Sequence, residues 1–186
     1  SLSIQNDAII LENLIVRGTT TQKKREQLSA YFSTPPEYFC VALVSFHTTN
    51  QQEIGLATLL LYNFLLEHYS HEFINVPTEG EKEIFVMTLS PSDTPDLAPI
   101  KKLLQSIIFP LTEDIGITFG VGISSVGTHI SNISTCYNQA KQVLQAYETE
   151  NQNCIQSYNV SMDTSYKNVV TLESLEHLSN LISCME

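Results

Sequence analysis

Apolar residues recur at helical spacing from residue 3 to 17, with Ile4, Ala8, Leu11, Leu14 and Ile15 on one face and Arg17-Gly18 as a stop. Thr20 or Thr21 then offers an N-cap to a short basic helix reaching Leu28, Tyr31 and Phe32, with Pro35-Pro36 closing it. Residues 38 to 46 form an unbroken aromatic and β-branched run of strand length, as a strand buried on both faces requires. After a polar loop over 47–52, residues 53 to 69 repeat Ile54, Ala57, Leu61, Phe64, Leu65 and His68 along one side of a long helix. Two alternating segments, 72–76 and 83–89, flank the Gly-containing turn Pro77-Thr78-Glu79-Gly80-Glu81 and predict a β-hairpin. Asp96 is placed to cap a helix carrying Leu97, Ile100, Leu103, Leu104, Ile107 and Ile108, expected to end before Pro110.

Residues 115 to 126 alternate with period two and set glycines 116, 120 and 122 on one side, a strand that a neighbour approaches closely. Ser131 or Ser134 can cap the following helix, whose apolar face holds Ile133, Tyr137, Ala140, Val143, Leu144 and Tyr147. A short strand over 154–158, a polar linker over 159–168 and an amphipathic helix with Leu172, Leu175, Leu178, Leu181 and Ile182 complete the chain. The order within 38–158 is β-α-β-β-α-β-α-β, whose first six elements are the split βαβ arrangement of ferredoxin-like α/β (α+β) folds, with helices on an antiparallel-rich sheet. The division expected is a helical lead-in over 1–36, the α/β domain over 37–158, and a linker with a final helix over 159–186. The chain begins in mid-pattern at Ser1 and stops at Glu186 directly after an apolar stretch, so it is expected to be a segment of a longer protein.

Charge narrows the possible partners. Twenty acidic residues against nine basic ones give a formal net charge of −11, and the largest basic cluster is Lys23, Lys24, Arg25. Such a balance repels phosphate backbones, so direct nucleic-acid contact by this segment is not expected. No apolar run approaches the roughly 20 residues of a membrane span, and the N-terminus lacks a secretory signal, which leads to an expectation of no membrane contact by this segment and a cytoplasmic location, with membrane anchoring of the full-length protein through an upstream sensor left open. Cys40, Cys136, Cys154 and Cys184 are widely separated and form no metal-ligand spacing, which suits reduced thiols.

Three stretches carry a family resemblance. Leu11 to Gly18 resembles the lead-in helix ending in Arg-Gly of GGDEF domains, Ile117-Thr118-Phe119-Gly120-Val121-Gly122-Ile123-Ser124 their glycine-rich strand, and Tyr137 to Leu144 their Tyr-x-x-Ala helix. Together with the hairpin, these resemble most closely the degenerate GGDEF-like domains inside bacterial AraC-type transcription regulators. The resemblance implies a nucleotide-cyclase palm, an upstream sensor or receiver, a downstream helix-turn-helix module and a homodimer.

It also implies where catalysis would sit. A cyclase needs two carboxylates near the first strand to hold divalent metal, and a Gly-Gly-acid-Glu-Phe hairpin to admit the nucleotide. Here the first strand ends Ser45-Phe46-His47, with no carboxylate before Glu53, and the hairpin reads Glu79-Gly80-Glu81-Lys82-Glu83. No catalytic residue, metal or cofactor is expected. Ser45, His47, Glu79, Gly80, Glu81 and Glu83 remain as candidates to line a degenerate cleft. Of the five histidines only His68 and His71 lie close in sequence, straddling a helix end, and the glycines at 116, 120 and 122 do not form a phosphate loop. The expected role is a signal-relay and dimerisation domain of a transcription regulator, with ligand sensing by the degenerate cleft as the alternative.

Overall fold

The computed structural model describes residues 2–91, 95–149, 151–160 and 162, with side chains from residue 7 onward. The expected helix over 172–182 and most of the linker before it lie outside these residues. The elements in chain order are α1 (Leu2–Arg17), α2 (Gln22–Ser29), β1 (Tyr38–His47), α3 (Gln51–His68), β2 (Phe73–Pro77), β3 (Lys82–Leu89), α4 (Ala98–Ile115), β4 (Thr118–Ile123), α5 (Ile133–Tyr147) and β5 (Cys154–Ser157). The sheet runs β2-β3-β1-β4-β5. Its first three pairings are antiparallel and only β4·β5 is parallel. This is the α/β, antiparallel-rich architecture that the alternation of patterns predicts, with β5 added at one edge by a β-α-β crossover through α5.

Strand β1 is central because every residue from Phe39 to Phe46 is buried. Its even-numbered residues Cys40, Ala42, Val44 and Phe46 join α3 and α4 in one core. The odd-numbered Phe39, Val41 and Leu43 join α1, α2 and α5 in a second core. Both faces are thus dry, and a one-residue slip of β1 would exchange two full apolar layers. Helices α1 and α2 are part of the second core through Leu11, Leu14, Ile15 and Leu28.

Several local expectations are revised. Helix α4 passes through Pro110 to Ile115, because burial of Ile107, Ile108 and Leu111 on both sides of the proline outweighs the lost backbone bond. Gly116 accordingly lies before β4 and caps α4 in the left-handed region, φ 82°, rather than sitting in the strand. Neither Ser131 nor Ser134 caps α5. A single 3-10 turn, Ile130–Asn132, leads into it, and His129 Nδ1 accepts from the Ser131 amide at 3.1 Å. Helix α3 starts at Gln51, capped by Asn50, whose side chain accepts from the Gln52 amide. Helix α2 ends at Ser29, well before the two prolines, while Thr21 caps it as its position predicts.

The glycine side of β4 receives α5. A Cβ on Gly122 would lie 2.2 Å from the Ala140 carbonyl oxygen, so the helix backbone rests directly on the strand. Among the described residues Cys40, Cys136 and Cys154 are free thiols, and no helix is long and apolar enough to cross a membrane.

Candidate functional site

The six residues singled out by the sequence do not gather at one point. Ser45 and His47 continue the odd-numbered series of β1 and face α5. Ser45 stands opposite Lys82 on β3 and opposite Gly120 on β4. Glu83, the next residue on β3, turns to the other face by the period of the strand. There Asn75 Nδ2 donates to Glu83 Oε2 at 3.0 Å. Burial pushes the Glu83 carboxyl above the usual carboxylate range, and the Asn75 hydrogen bond opposes part of that shift.

Glu79, Gly80 and Glu81 form the connection between β2 and β3. The Thr78 amide donates to the Lys82 carbonyl at 2.9 Å, closing a three-residue loop. The left-handed position of that loop is taken by Glu81, φ 62°, and not by Gly80. The Glu81 carboxylate accepts from Gln51 Nε2 at 2.6 Å and fastens the loop to the start of α3.

What His47 meets is a residue the sequence did not bring forward. Its Nε2 lies 2.6 Å from Glu148 Oε1, and its Nδ1 lies 3.0 Å from Thr118 Oγ1. In the neutral ring this is one consistent tautomer: Nε2–H donates to the carboxylate and Nδ1 accepts from the threonine hydroxyl. The second carboxylate oxygen of Glu148 is 4.0 Å from Lys82 Nζ. Both side chains of the His47–Glu148 pair are largely buried, at 12% and 20% exposure. Glu148 is the first residue past α5 and crosses over Gly120, where a Cβ would come within 3.2 Å of its Cγ. The glycine at 120 was the available signal, since it leaves room for a side chain on the strand surface without saying which one fills it.

This arrangement limits the chemistry. Glu148 holds Nε2–H and the Thr118 hydroxyl occupies Nδ1, so a substrate hydroxyl would have to displace Thr118 to reach the ring. A hard divalent ion at the end of β1 would meet one carboxylate already held by an imidazole and near a lysine, together with hydroxyl and imidazole groups. That donor set does not fit the oxygen-rich coordination of Mg²⁺. Among the described residues no three His, Cys, Asp or Glu side chains converge as a metal site. His68 is exposed and stacks on Phe64, whereas His71 Nε2 contacts Ser90 Oγ at 3.0 Å, so the two histidines have separate partners.

On the opposite face, Glu83 and Asn75 border an open cavity of about 460 Å³ with Gln51, Gly55, Thr58 and Tyr62. Thr58 Oγ1 is buried there without a hydrogen-bond partner among the described residues.

Comparison with known proteins places this geometry. The crystal structure of a regulator of polyketide synthase expression from Bifidobacterium adolescentis superposes with a TM-score of 0.51 at 12% identity, covering 78% of this chain and 55% of that one. At that identity the likeness is one of fold, and the present chain spans little more than half of the neighbour's length. No curated protein matches significantly. The family model described as the GGDEF-like domain matches residues 18–146, from the glycine that ends α1 to the last turn of α5. That match covers more than half of the sequence and includes the hairpin, the glycine-lined strand and the helix packed on it, so the chain belongs to the GGDEF-like domain family.

Proposed function

We propose that this domain is a non-catalytic relay inside a larger bacterial transcription regulator of the AraC type, acting in the cytoplasm as a homodimer. In this reading α1 receives movement from an upstream sensor or receiver, and the segment over 172–182 passes it to a helix-turn-helix module. The domain itself touches neither nucleic acid nor membrane, in keeping with its net charge of −11. The observation that carries the reading is the closure of His47 by Thr118 and Glu148 at the place where a cyclase would hold metal. A core in which no metal-ligating group of three side chains converges among the described residues, entered by a helix that packs on α5, suits mechanical coupling between its two ends. The family match and a structural neighbour described as a regulator of expression support a regulatory role.

Incubation with GTP or ATP and Mg²⁺ tests the absence of chemistry, and the expected result is no cyclic product and no pyrophosphate. Turnover abolished by substitution of a cleft residue would refute it. For the relay, amide exchange over 172–182 in the full-length regulator should change when the upstream part is activated. Unchanged protection there would remove the relay.

A second reading, ligand sensing, draws on the cavity beside Glu83. The Thr58 hydroxyl, without a partner among the described residues, lies at its wall, and a small polar ligand would compete there for the Asn75 and Gln51 amides that Glu83 and Glu81 now hold. Thermal shift with guanine and adenine nucleotides separates the two, since only the sensor gains stability from a ligand.

A further inference from the structure

Helix α3 has two apolar faces. Ile54, Ala57, Leu61 and Leu65 fill the core. On the opposite side Leu56, Leu59 and Leu66 are 48%, 56% and 59% exposed. With the exposed Gln52 and Asn63 they form the series 52, 56, 59, 63, 66, spaced four, three, four, three. That is the a/d seam of a two-stranded coiled coil, whereas a surface helix ordinarily keeps its outward face polar. Leu56 and Asn63 take the a positions, and Gln52, Leu59 and Leu66 take the d positions.

We infer that this face pairs with α3 of a second copy of the chain, the two helices parallel about a twofold axis. Asn63 gives the first reason. A single asparagine at an a position sets register and strand number, because in a parallel pair the two amides meet across the axis and bond to each other. Charge gives the second. Glu53 and Glu67 occupy the same flank of the seam, and Gly55 and Tyr62 the other. Antiparallel pairing would set Glu53 of one copy beside Glu67 of the other, twice per dimer. Parallel pairing sets Tyr62 against Glu67 and Gly55 against Leu60, with no like charges opposed. A Cβ on Gly55 would find no atom within 4 Å, so that flank is open to the partner. Four turns of paired helix bury less than the roughly 1,200 Å² of a permanent interface, which places the association in the weak, switchable class.

This inference locates the homodimer of the relay reading, and it stands or falls independently of the absence of catalysis. Sedimentation equilibrium of the 186-residue chain, taken up to about 500 µM to reach weak affinities, should show a reversible dimer. The double substitution Leu59→Glu with Leu66→Glu lies on the solvent face and should leave the circular dichroism unchanged. It should raise the dissociation constant at least about 100-fold by placing like charges in the seam. Asn63→Cys should form an interchain disulfide on mild oxidation beyond any that the unsubstituted chain, with its half-buried Cys154, forms under the same conditions. A chain that stays monomeric at every concentration overturns the inference and leaves the seam to another occupant, such as the apolar 172–182 segment. A dimer that survives the double substitution places the interface elsewhere and overturns it equally. A dimer in which Asn63→Cys does not cross-link overturns the parallel arrangement.

Discussion

The two faces of the sheet solve the same packing problem in opposite ways. On the α5 side, contact is made by removing side chains: Gly120 and Gly122 let the helix backbone and the Glu148 stem lie directly on β4. The polar end of that face is then closed by His47, Thr118, Glu148 and Lys82. On the α3 side, contact is made by filling space, with Leu61, Leu65, Phe85, Met87 and Leu104 in one core. Its polar end stays open, since Asn75 and Glu83 border a cavity and the outer surface of α3 remains apolar. Among the described residues one side is closed by its own side chains, and the other presents apolar surface and a Thr58 hydroxyl without a partner.

Glycine-to-alanine exchange breaks this comparison most sharply. Gly122→Ala drives a methyl to 2.2 Å from the Ala140 carbonyl oxygen, backbone that cannot turn aside, and should destabilise by about 3 kcal/mol or more in urea unfolding. Gly120→Ala meets the Leu144 methyl at 2.9 Å and the Glu148 Cγ at 3.2 Å, both on side chains that can rotate, so its cost should be about 1 kcal/mol. Equal effects at the two positions would mean that α5 does not rest on the strand as described. On the other side Gly55→Ala enters open space within a helix and should stabilise by roughly 0.5–1 kcal/mol.

The smallest effect sharpens the polar contrast. Burial raises the folded-state pKa of Glu83 above its unfolded value. Both states are protonated at low pH, and a cost appears as the pH rises through the unfolded-state pKa. It is fully present above the folded-state pKa. Glu83→Gln keeps an acceptor for Asn75 and removes the buried charge, so its Tm should exceed that of the parent at pH 7. The advantage should fade as the pH is lowered through the carboxylate range. A constant difference across that range would show that Glu83 is not the titrating group.

Patterns governed by one element at a time were legible in the sequence. The continuous apolar run of β1, the alternation of the hairpin and the helical spacing of α3 each state their own burial, and their order gave the split βαβ arrangement. Boundaries set by tertiary context were not legible. Pro110 reads as a helix end until the core on both sides of it is known, and Gly116 reads as part of a strand until α4 is seen to reach it. The candidate site shows the same limit. Ser45 and His47 were visible at the end of β1, and the missing carboxylates there were visible too. Glu148 was not, because 101 residues separate it from His47 and only the close approach of α5 to Gly120 brings it over the strand. Glu83 was grouped with His47 by nearness in the hairpin, but the two-residue period of β3 sends it to the opposite face.

Isothermal titration of the chain with GTP, with and without Mg²⁺, tests the closed site most directly. No binding heat is expected under either condition, because His47 and Glu148 satisfy one another and leave too few oxygen ligands for the ion. Mg²⁺-dependent binding of GTP that disappears in His47→Ala would contradict it.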